Sequence, residues 1–336
     1  MDRLILSLMA FIVLICTTAR GGPVDGLEYQ SESVATTGQI TAGIINPAGL
    51  AFYGAMGMRY THSFTDSSYG GDDGLLISSR RGFFALEWLN HTSNSFRRKY
   101  TLGMGDRLAP NFYLGFTYSW FGGANELYKK MKNWKLGMMY HPRPFASLGL
   151  VVDRLNQPEF GTVVQRRLYR TGLAIRPLGE RFTISSDLRW LEGEGVEKLQ
   201  GNFRAAYGPF RGIFFSADYA TEGSWRIGLT FDFDQTRVGA QGRLNNSQNF
   251  AGGSYFVELS DTRYGSVFRK SGRVGTITLS GDIIEEPTER PLFGSHGRSL
   301  YSVIAALRKG ATDSRISGLF MKIDGMRMSF STSQEL

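Results

Sequence analysis

Across residues 51–260, large apolar side chains alternate with polar or small ones. Phe112, Leu114, Phe116, Tyr118 and Trp120 alternate with Asn111, Tyr113, Gly115, Thr117 and Ser119. Phe182, Ile184, Leu188 and Trp190 alternate with Arg181, Thr183, Ser185, Asp187 and Arg189. Trp225, Ile227, Leu229, Phe231 and Phe233 alternate with Ser224, Arg226, Gly228, Thr230 and Asp232, and shorter cases run from Trp134 to Tyr140 and from Tyr169 to Ile175. Successive side chains of a strand point to opposite faces. A helix would need spacings of three and four residues, which these segments lack. A soluble β-sandwich also alternates, but its solvent face carries charge. Here that face carries Phe, Trp, Leu and Ile on strand after strand, as a lipid-facing barrel requires. The pattern predicts an all-β transmembrane barrel of about 12–14 antiparallel strands over residues 51–262, since such barrels usually have an even strand number. Trp120, Trp134, Trp190 and Trp225 stand at strand ends, where interfacial aromatic girdles lie.

Glycines repeat within the same region. Gly103, Gly115, Gly137, Gly149 and Gly172 follow one another at 12, 22, 12 and 23 residues, the rhythm of hairpins with alternating short turns and longer loops. Each falls on the inward parity, where a crowded lumen favours a missing side chain. Arg170, Arg181, Arg189, Arg204, Arg226, Arg237 and Arg243 share that parity with Asp187, Asp218 and Asp232. Two readings follow for these possible lumen-lining residues. One is a basic lumen that attracts anions. The other is an Arg–Asp ladder that braces a narrow barrel. The ladder is the simpler, because charges placed inside a barrel avoid lipid without any transport role.

Residues 1–19 have the form of a secretory signal peptide: Arg3, an apolar run from Leu4 to Cys16, then small residues at Thr17-Thr18-Ala19. The run is too short to cross a bilayer as a helix, which takes about 20 residues. No later run is longer, so a membrane-embedded chain must be a closed barrel, the alternative that satisfies its backbone in lipid. The only cysteine, Cys16, lies in this leader, which leaves no disulfide or thiolate metal site. The formal charge is +8, but Lys and Arg are dispersed, which argues against nucleic acid as a partner. His62, His91, His141 and His296 are scattered without metal-ligand or triad spacing, and no cofactor is expected.

Ahead of the strands stand Ser33-Val34-Ala35-Thr36-Thr37-Gly38 and Ile44-Ile45-Asn46-Pro47-Ala48-Gly49-Leu50-Ala51. This NPAGLA segment resembles the start of the FadL/PorV-like outer-membrane barrels. The resemblance implies that residues 20–50 are tucked into the lumen as a plug. Members of that family pass hydrophobic molecules, although no ligand-site motif is visible here.

From about Gly272 the pattern changes to strand, helix, strand: Val274 to Ile283, Ser299 to Lys309, and Ile316 to Asp324. That spacing predicts a βαβ unit with parallel strands. The stretch from Val274 to Asp324, with Asp313-Ser314-Arg315-Ile316-Ser317-Gly318 before its second strand, resembles the start of the signal peptide peptidase A family. Those are serine peptidases of crotonase-like α/β fold. Where catalytic members carry a Ser-Pro-Gly-Gly turn, this chain has Gly325-Met326-Arg327-Met328. The family's serine and lysine lie downstream of this strand, so no catalytic residue can be assigned. Ser329, Ser331 and Ser333 suit a helix cap, and Lys322 a structural place in the strand. A lone unit of this size cannot bury its own core, so residues 272–336 read as an incomplete α/β domain and the chain as a fragment.

The main functional expectation is thus the N-terminal part of a Ser-Lys peptidase anchored by its barrel in the outer membrane of a Gram-negative bacterium. Its C-terminal part would be periplasmic, its partners the lipid bilayer and a peptide substrate. The alternative is a transport or porin-type barrel for hydrophobic or anionic small molecules. A structural scaffold is a third possibility.

Overall fold

The computed structural model describes residues 25–37, 40–65, 71–89, 97–123, 125–267, 273–284, 298–313 and 316–327. The leader with Cys16, His91, His296, Ser329, Ser331 and Ser333 lie outside the described residues. The chain divides into two units, residues 1–267 and 268–336.

The first unit opens with two short helices, α1 (Ala42–Ile45) and α2 (Gly49–Tyr53), so Ala51 is helical and the barrel begins only at Gly57. Gly54, in the left-handed region at φ 61°, ends α2 and turns the chain into the first strand. The strands are β1 (Gly57–Thr65), β2 (Asp72–Ser79), β3 (Gly82–Leu89), β4 (Arg97–Ala109), β5 (Phe112–Gly123), β6 (Lys132–Arg143) and β7 (Ala146–Asp153). A two-residue hairpin, β8 (Glu159–Phe160) and β9 (Val163–Val164), ornaments the next loop. Then come β10 (Leu168–Ile175), β11 (Phe182–Leu191), β12 (Gln200–Phe210), β13 (Ile213–Ala220), β14 (Trp225–Phe233), β15 (Thr236–Leu244) and β16 (Phe250–Ser260). All except β8 and β9 form one closed barrel of 14 strands. It closes through an antiparallel β1–β16 ladder running from Gly57↔Ser260 to Thr65↔Gly252. Closure removes every unpaired strand edge, which a bilayer would penalise.

The two ends of the barrel differ. Two-residue turns join β2 to β3, β4 to β5, β6 to β7, β12 to β13 and β14 to β15 at one end. Longer connections, including a helix α3 (Glu126–Lys130), cluster at the other. Both β1 and β16 meet the rest of the chain at the short-turn end.

Outward strand positions are apolar with few breaks. Leu148, Leu150, Leu173, Ile175, Ile184, Phe215, Ile227, Val257 and Leu259 all lie exposed on the outer face. Each such residue forgoes roughly 1.5–3 kcal/mol of burial if it faces water. Summed over the circumference, that cost exceeds the stability of an ordinary domain. Lipid around the barrel removes it. The aromatic residues are not symmetric: Trp88, Trp120, Trp134, Trp190 and Trp225 all stand at the long-loop end, as do the paired rings Tyr100–Trp120, Tyr118–Trp134, Tyr169–Trp190 and Tyr219–Trp225.

The second unit contains β17 (Arg273–Ile284), β18 (Arg298–Ser299), a helix α4 (Leu300–Thr312) and β19 (Ile316–Arg327). The β17–β19 and β17–β18 pairs are parallel. Leu279 and Val303 are buried together, with Ile277, Ile304 and Leu307 around them. This is a strand–helix–strand unit, and nothing in it identifies a crotonase-like domain.

An arginine in the middle of the outer band should be costly. Leu150→Arg is expected to lower unfolding stability in detergent or lipid by about 2–4 kcal/mol. Val164→Arg, in the β8–β9 hairpin, should change it by less than about 0.5 kcal/mol. Urea titration followed by heat-modifiable gel mobility reads both.

Candidate functional site

The lumen of the barrel is occupied by the chain's own residues 25–37 and 40–56, held on three sides by three kinds of contact. Against β2 and β3 the contact is apolar: Leu27, Tyr29, Ile40, Ala42 and Leu50 are buried with Leu76, Phe83, Ala85 and Leu89 of the wall. Two polar contacts join this patch: Leu27 N–H donates to Glu87 of β3 at 2.8 Å, and Ser78 of β2 donates to the Ala55 carbonyl at 3.2 Å.

Against β4–β7 and β10 the contact is backbone on backbone, and glycine makes it possible. Gly105 pairs with Gly115, Gly115 with Gly137, and Gly149 with Gly172, so the missing side chains form a track across five strands. A Cβ on Gly105 would lie 2.8 Å from the Pro47 carbonyl oxygen. One on Gly115 would overlap the Pro47 backbone, one on Gly137 the Asn46 side chain, and one on Gly149 the Val34 carbonyl. Asn46, fully buried, fastens the turn: its Nδ2 donates to the Val34 carbonyl at 2.7 Å and to the Met138 carbonyl of β6 at 3.0 Å. Lys135 Nζ reaches the Ile44 carbonyl at 2.6 Å, and Arg170 the Ile45 carbonyl at 3.2 Å.

Against β11–β15 the contact is polar and ionic. Glu28 bridges two arginines, accepting from Arg243 at 2.6 Å and from Arg226 at 3.2 Å. Gln30 donates to Thr230 at 3.2 Å, Ser31 Oγ to Asp218 at 2.7 Å, and Ser33 Oγ to Asp187 at 2.7 Å. On the other side of the lumen, just past β7, Arg154 pairs with Asp25 at 3.0 Å. The plug segment 25–56 carries Asp25, Glu28 and Glu32 and has no Lys, Arg or His. The wall it meets is rich in basic groups, so plug and wall are electrostatically complementary.

At the short-turn end the lumen is sealed by a buried network. Arg59 and Glu258, both fully buried, approach to 3.5 Å. The Arg59 guanidinium lies 3.6 Å from the Phe256 ring centroid. Arg237 grips Asp232 through two bonds, at 2.6 and 3.0 Å. The segment after β16 folds back into this mouth. Asp261 and Met56 exchange two bonds at 2.9 Å, and Tyr264 donates to Glu258 at 2.8 Å while its hydroxyl meets that of Tyr53 at 2.9 Å. Burial first, then the Glu258 carboxylate, raise the Tyr264 phenol well above its ordinary value, so it stays a neutral donor.

The residues expected to line the lumen fall into several environments. Arg237 and Asp232 belong to the mouth network, while Arg226 and Asp187 hold the plug directly. Arg204 faces Asp218 at 3.9 Å, and Arg170 faces Asp153 at 3.8 Å. Arg189 stands opposite Arg170 in the β10–β11 ladder. Arg181 is different. It is exposed in a one-turn 3₁₀ segment, Gly179–Arg181, because the chain turns there before β11 begins at Phe182. Parity carries a residue into the lumen only inside a strand. Among the glycines, Gly103 lies off the track and would meet Thr117. Its place beside the plug is taken by Gly105.

The sequence reading missed Arg59, Glu87, Lys99, Lys135, Asp153 and Glu258, all of which face inward and are buried or nearly so. Parity could have found Lys135, which sits between outward Trp134 and Leu136. Lys322, by contrast, is exposed on β19 with Asp324 at 4.0 Å, so it lacks the desolvation that a peptidase's general base needs. Among the described residues no group of three His, Cys, Asp or Glu is placed to hold a metal ion.

No protein-family model matches the chain, and no curated protein matches it. Similar solved structures are barrels. The toluene transporter TodX of Pseudomonas putida shares 11% identity, with 72% of this chain and 99% of that one covered at a TM-score of 0.43. The toluene transporter TbuX of Ralstonia pickettii shares 11%, covering 67% and 94% at 0.41. A triple mutant of the Rhodopseudomonas blastica porin shares 10%, covering 61% and 98% at 0.36. Likeness at this level carries no functional weight, and the barrel rests on its own ladder of strands. These comparisons lend no support to the resemblance of residues 274–324 to signal peptide peptidase A.

Filling the glycine track should evict the plug without unmaking the barrel. In G115V/G137V the Asn46–Pro47 turn loses its seat, and protease is expected to cleave within residues 25–56 while heat-modifiable mobility persists. In the mouth, Glu258→Gln leaves Arg59 buried without its countercharge and should cost about 3–5 kcal/mol in unfolding free energy.

Proposed function

We propose that this chain is an outer-membrane transport barrel whose passage is closed at rest by its own N-terminal segment and, once that segment moves, favours small anionic solutes. The observation that supports this reading is the pairing of a cation-free, acidic plug with an arginine-rich wall, centred on Glu28 between Arg226 and Arg243. The plug's carboxylates hold positions that a solute's negative charge would take. Fourteen strands fall between the eight that side chains can fill and the 16–18 of porins with open aqueous channels, so the lumen holds a peptide segment and would hold water in its place. Short turns at the end where both barrel termini emerge match the periplasmic side of bacterial barrels.

A second reading, the barrel as anchor for a peptidase, has one observation in its favour: the parallel β17–α4–β19 unit. The purified chain is nevertheless expected to hydrolyse no peptide, because no Ser–Lys pair is assembled in its described residues.

The transport reading is tested in planar bilayers with the full chain. Wild-type protein should conduct little. G115V/G137V should conduct steadily, with anion permeability exceeding cation permeability several-fold, and adding E28Q should raise the open fraction further. Cation selectivity, or an unchanged closed state in the triple variant, counts against the proposal. Uptake of toluene, the solute named for TodX and TbuX, with no anion current would replace it by a hydrophobic route.

A further inference from the structure

Among the described residues, the lumen wall sets arginine directly opposite arginine at two ladder positions: Arg226↔Arg243 between β14 and β15, and Arg170↔Arg189 between β10 and β11. Side chains so placed leave their strands about 5 Å apart, and like charges there repel. Each of the four arginines lies within three residues of the long-loop end of its strand. Water reaches both pairs from that end. The side chains of Arg170, Arg226 and Arg243 are 24%, 25% and 29% exposed, and Arg189 is half-buried.

The first pair shows what resolves the repulsion. The Glu28 carboxylate lies between its two guanidiniums and accepts from both, at 3.2 and 2.6 Å. The second pair has no such bridge. Asp25 and Asp153 act on Arg189 through space without forming an ion pair with it. Arg170 donates to the Ile45 carbonyl at 3.2 Å, and Asp153 stands 3.8 Å from it. The acids around the pair are committed elsewhere. Asp153 is held by Lys135 at 3.1 Å and by Asn133 at 2.8 Å, Asp25 by Arg154 at 3.0 Å, and Asp187 by Ser33 at 2.7 Å. Two facing guanidiniums with donors to spare suit a carboxylate, because the planar fork of arginine can meet both of its oxygens with parallel charged hydrogen bonds.

We propose that Arg170 and Arg189 form a binding site for a small carboxylate anion in the long-loop half of the lumen. The ligand takes between them the position that Glu28 takes between Arg226 and Arg243. The barrel thus carries, in one pair, its own pattern for what the other receives. As a station for a solute the site rests on the transport reading. Binding itself is read in the closed barrel and needs no conduction, so the two can fail separately.

Saturation-transfer difference NMR on sodium propionate, the side-chain fragment of glutamate, tests this with the full chain in detergent micelles. The wild type should transfer saturation to propionate. R189Q should weaken binding roughly tenfold or more, the loss expected for a charged hydrogen bond. R170Q/R189Q should abolish it. R170K/R189K restores the charge without the planar fork and should recover part of the affinity. R181Q, which alters an exposed arginine outside the strands, should leave binding unchanged. Unaltered heat-modifiable mobility shows that each variant is folded. No transfer in the wild type, or undiminished transfer in R170Q/R189Q, overturns the proposal. Tighter binding of inorganic phosphate than of propionate in competition would assign the pair to phosphate and overturn its carboxylate assignment.

Discussion

The structure depends on one constraint: charged side chains inside a lipid-wrapped barrel must find partners, because neither lipid nor a dry interior will solvate them. An unpaired buried charge costs several kcal/mol even after local relaxation. The wall meets part of this need by itself, through Arg237–Asp232, Lys135–Asp153 and Arg59–Glu258. It leaves a surplus of basic groups. The plug supplies the remainder with Asp25 and Glu28, and its backbone carbonyls at Ile44 and Ile45 accept from Lys135 and Arg170. The barrel and its N-terminal segment are thus a single electrostatic object, although only the strands form a continuous sheet.

The three attachments of the plug differ in kind, and so in how reversible they are. The apolar patch with Leu76, Phe83 and Leu89 and the glycine track are matched in shape. The contacts with β11–β15 are polar and ionic. Charge–charge contacts weaken in salt and exchange readily with competing ions, whereas tight steric packing does not.

Much of this was legible in the sequence, and its failures have physical causes. Alternation fixed which residues face lipid, because one greasy face and one polar face leave no ambiguity of register. The glycine rhythm announced a crowded lumen, and four of the five residues, Gly115, Gly137, Gly149 and Gly172, border the plug. What crowds them could not be read from spacing, because it is a backbone contact across about 100 residues of sequence. NPAGLA pointed to a plug only through a family resemblance; its chemistry is the capture of Asn46 between Val34 and Met138. Arg181 was misplaced because alternation says nothing about where a strand stops. The mouth network stayed hidden because Arg59 is separated from Glu258 and Tyr264 by nearly the whole barrel and meets them only when β16 closes on β1.

Closure also makes the two ends of the lumen unequal, and this bears on direction. At the short-turn end Arg59 and Glu258 have no solvent exposure, and the returning segment with Tyr264 locks over them. Toward the long loops, Asp25 and Glu28 remain 38% and 36% exposed, so water already reaches the plug's own carboxylates. Screening and competition act first on the wet end. In the proposed transport barrel, a plug loosened by solute would come away from its Asp25 and Glu28 end toward the glycine track, with the mouth network the last to open. The Asn46–Pro47 turn sits between these regimes, held by shape rather than charge. In the proposed transport barrel it is the point at which a loosened segment either re-seats or yields, so the glycine track bears directly on how tightly the barrel is closed.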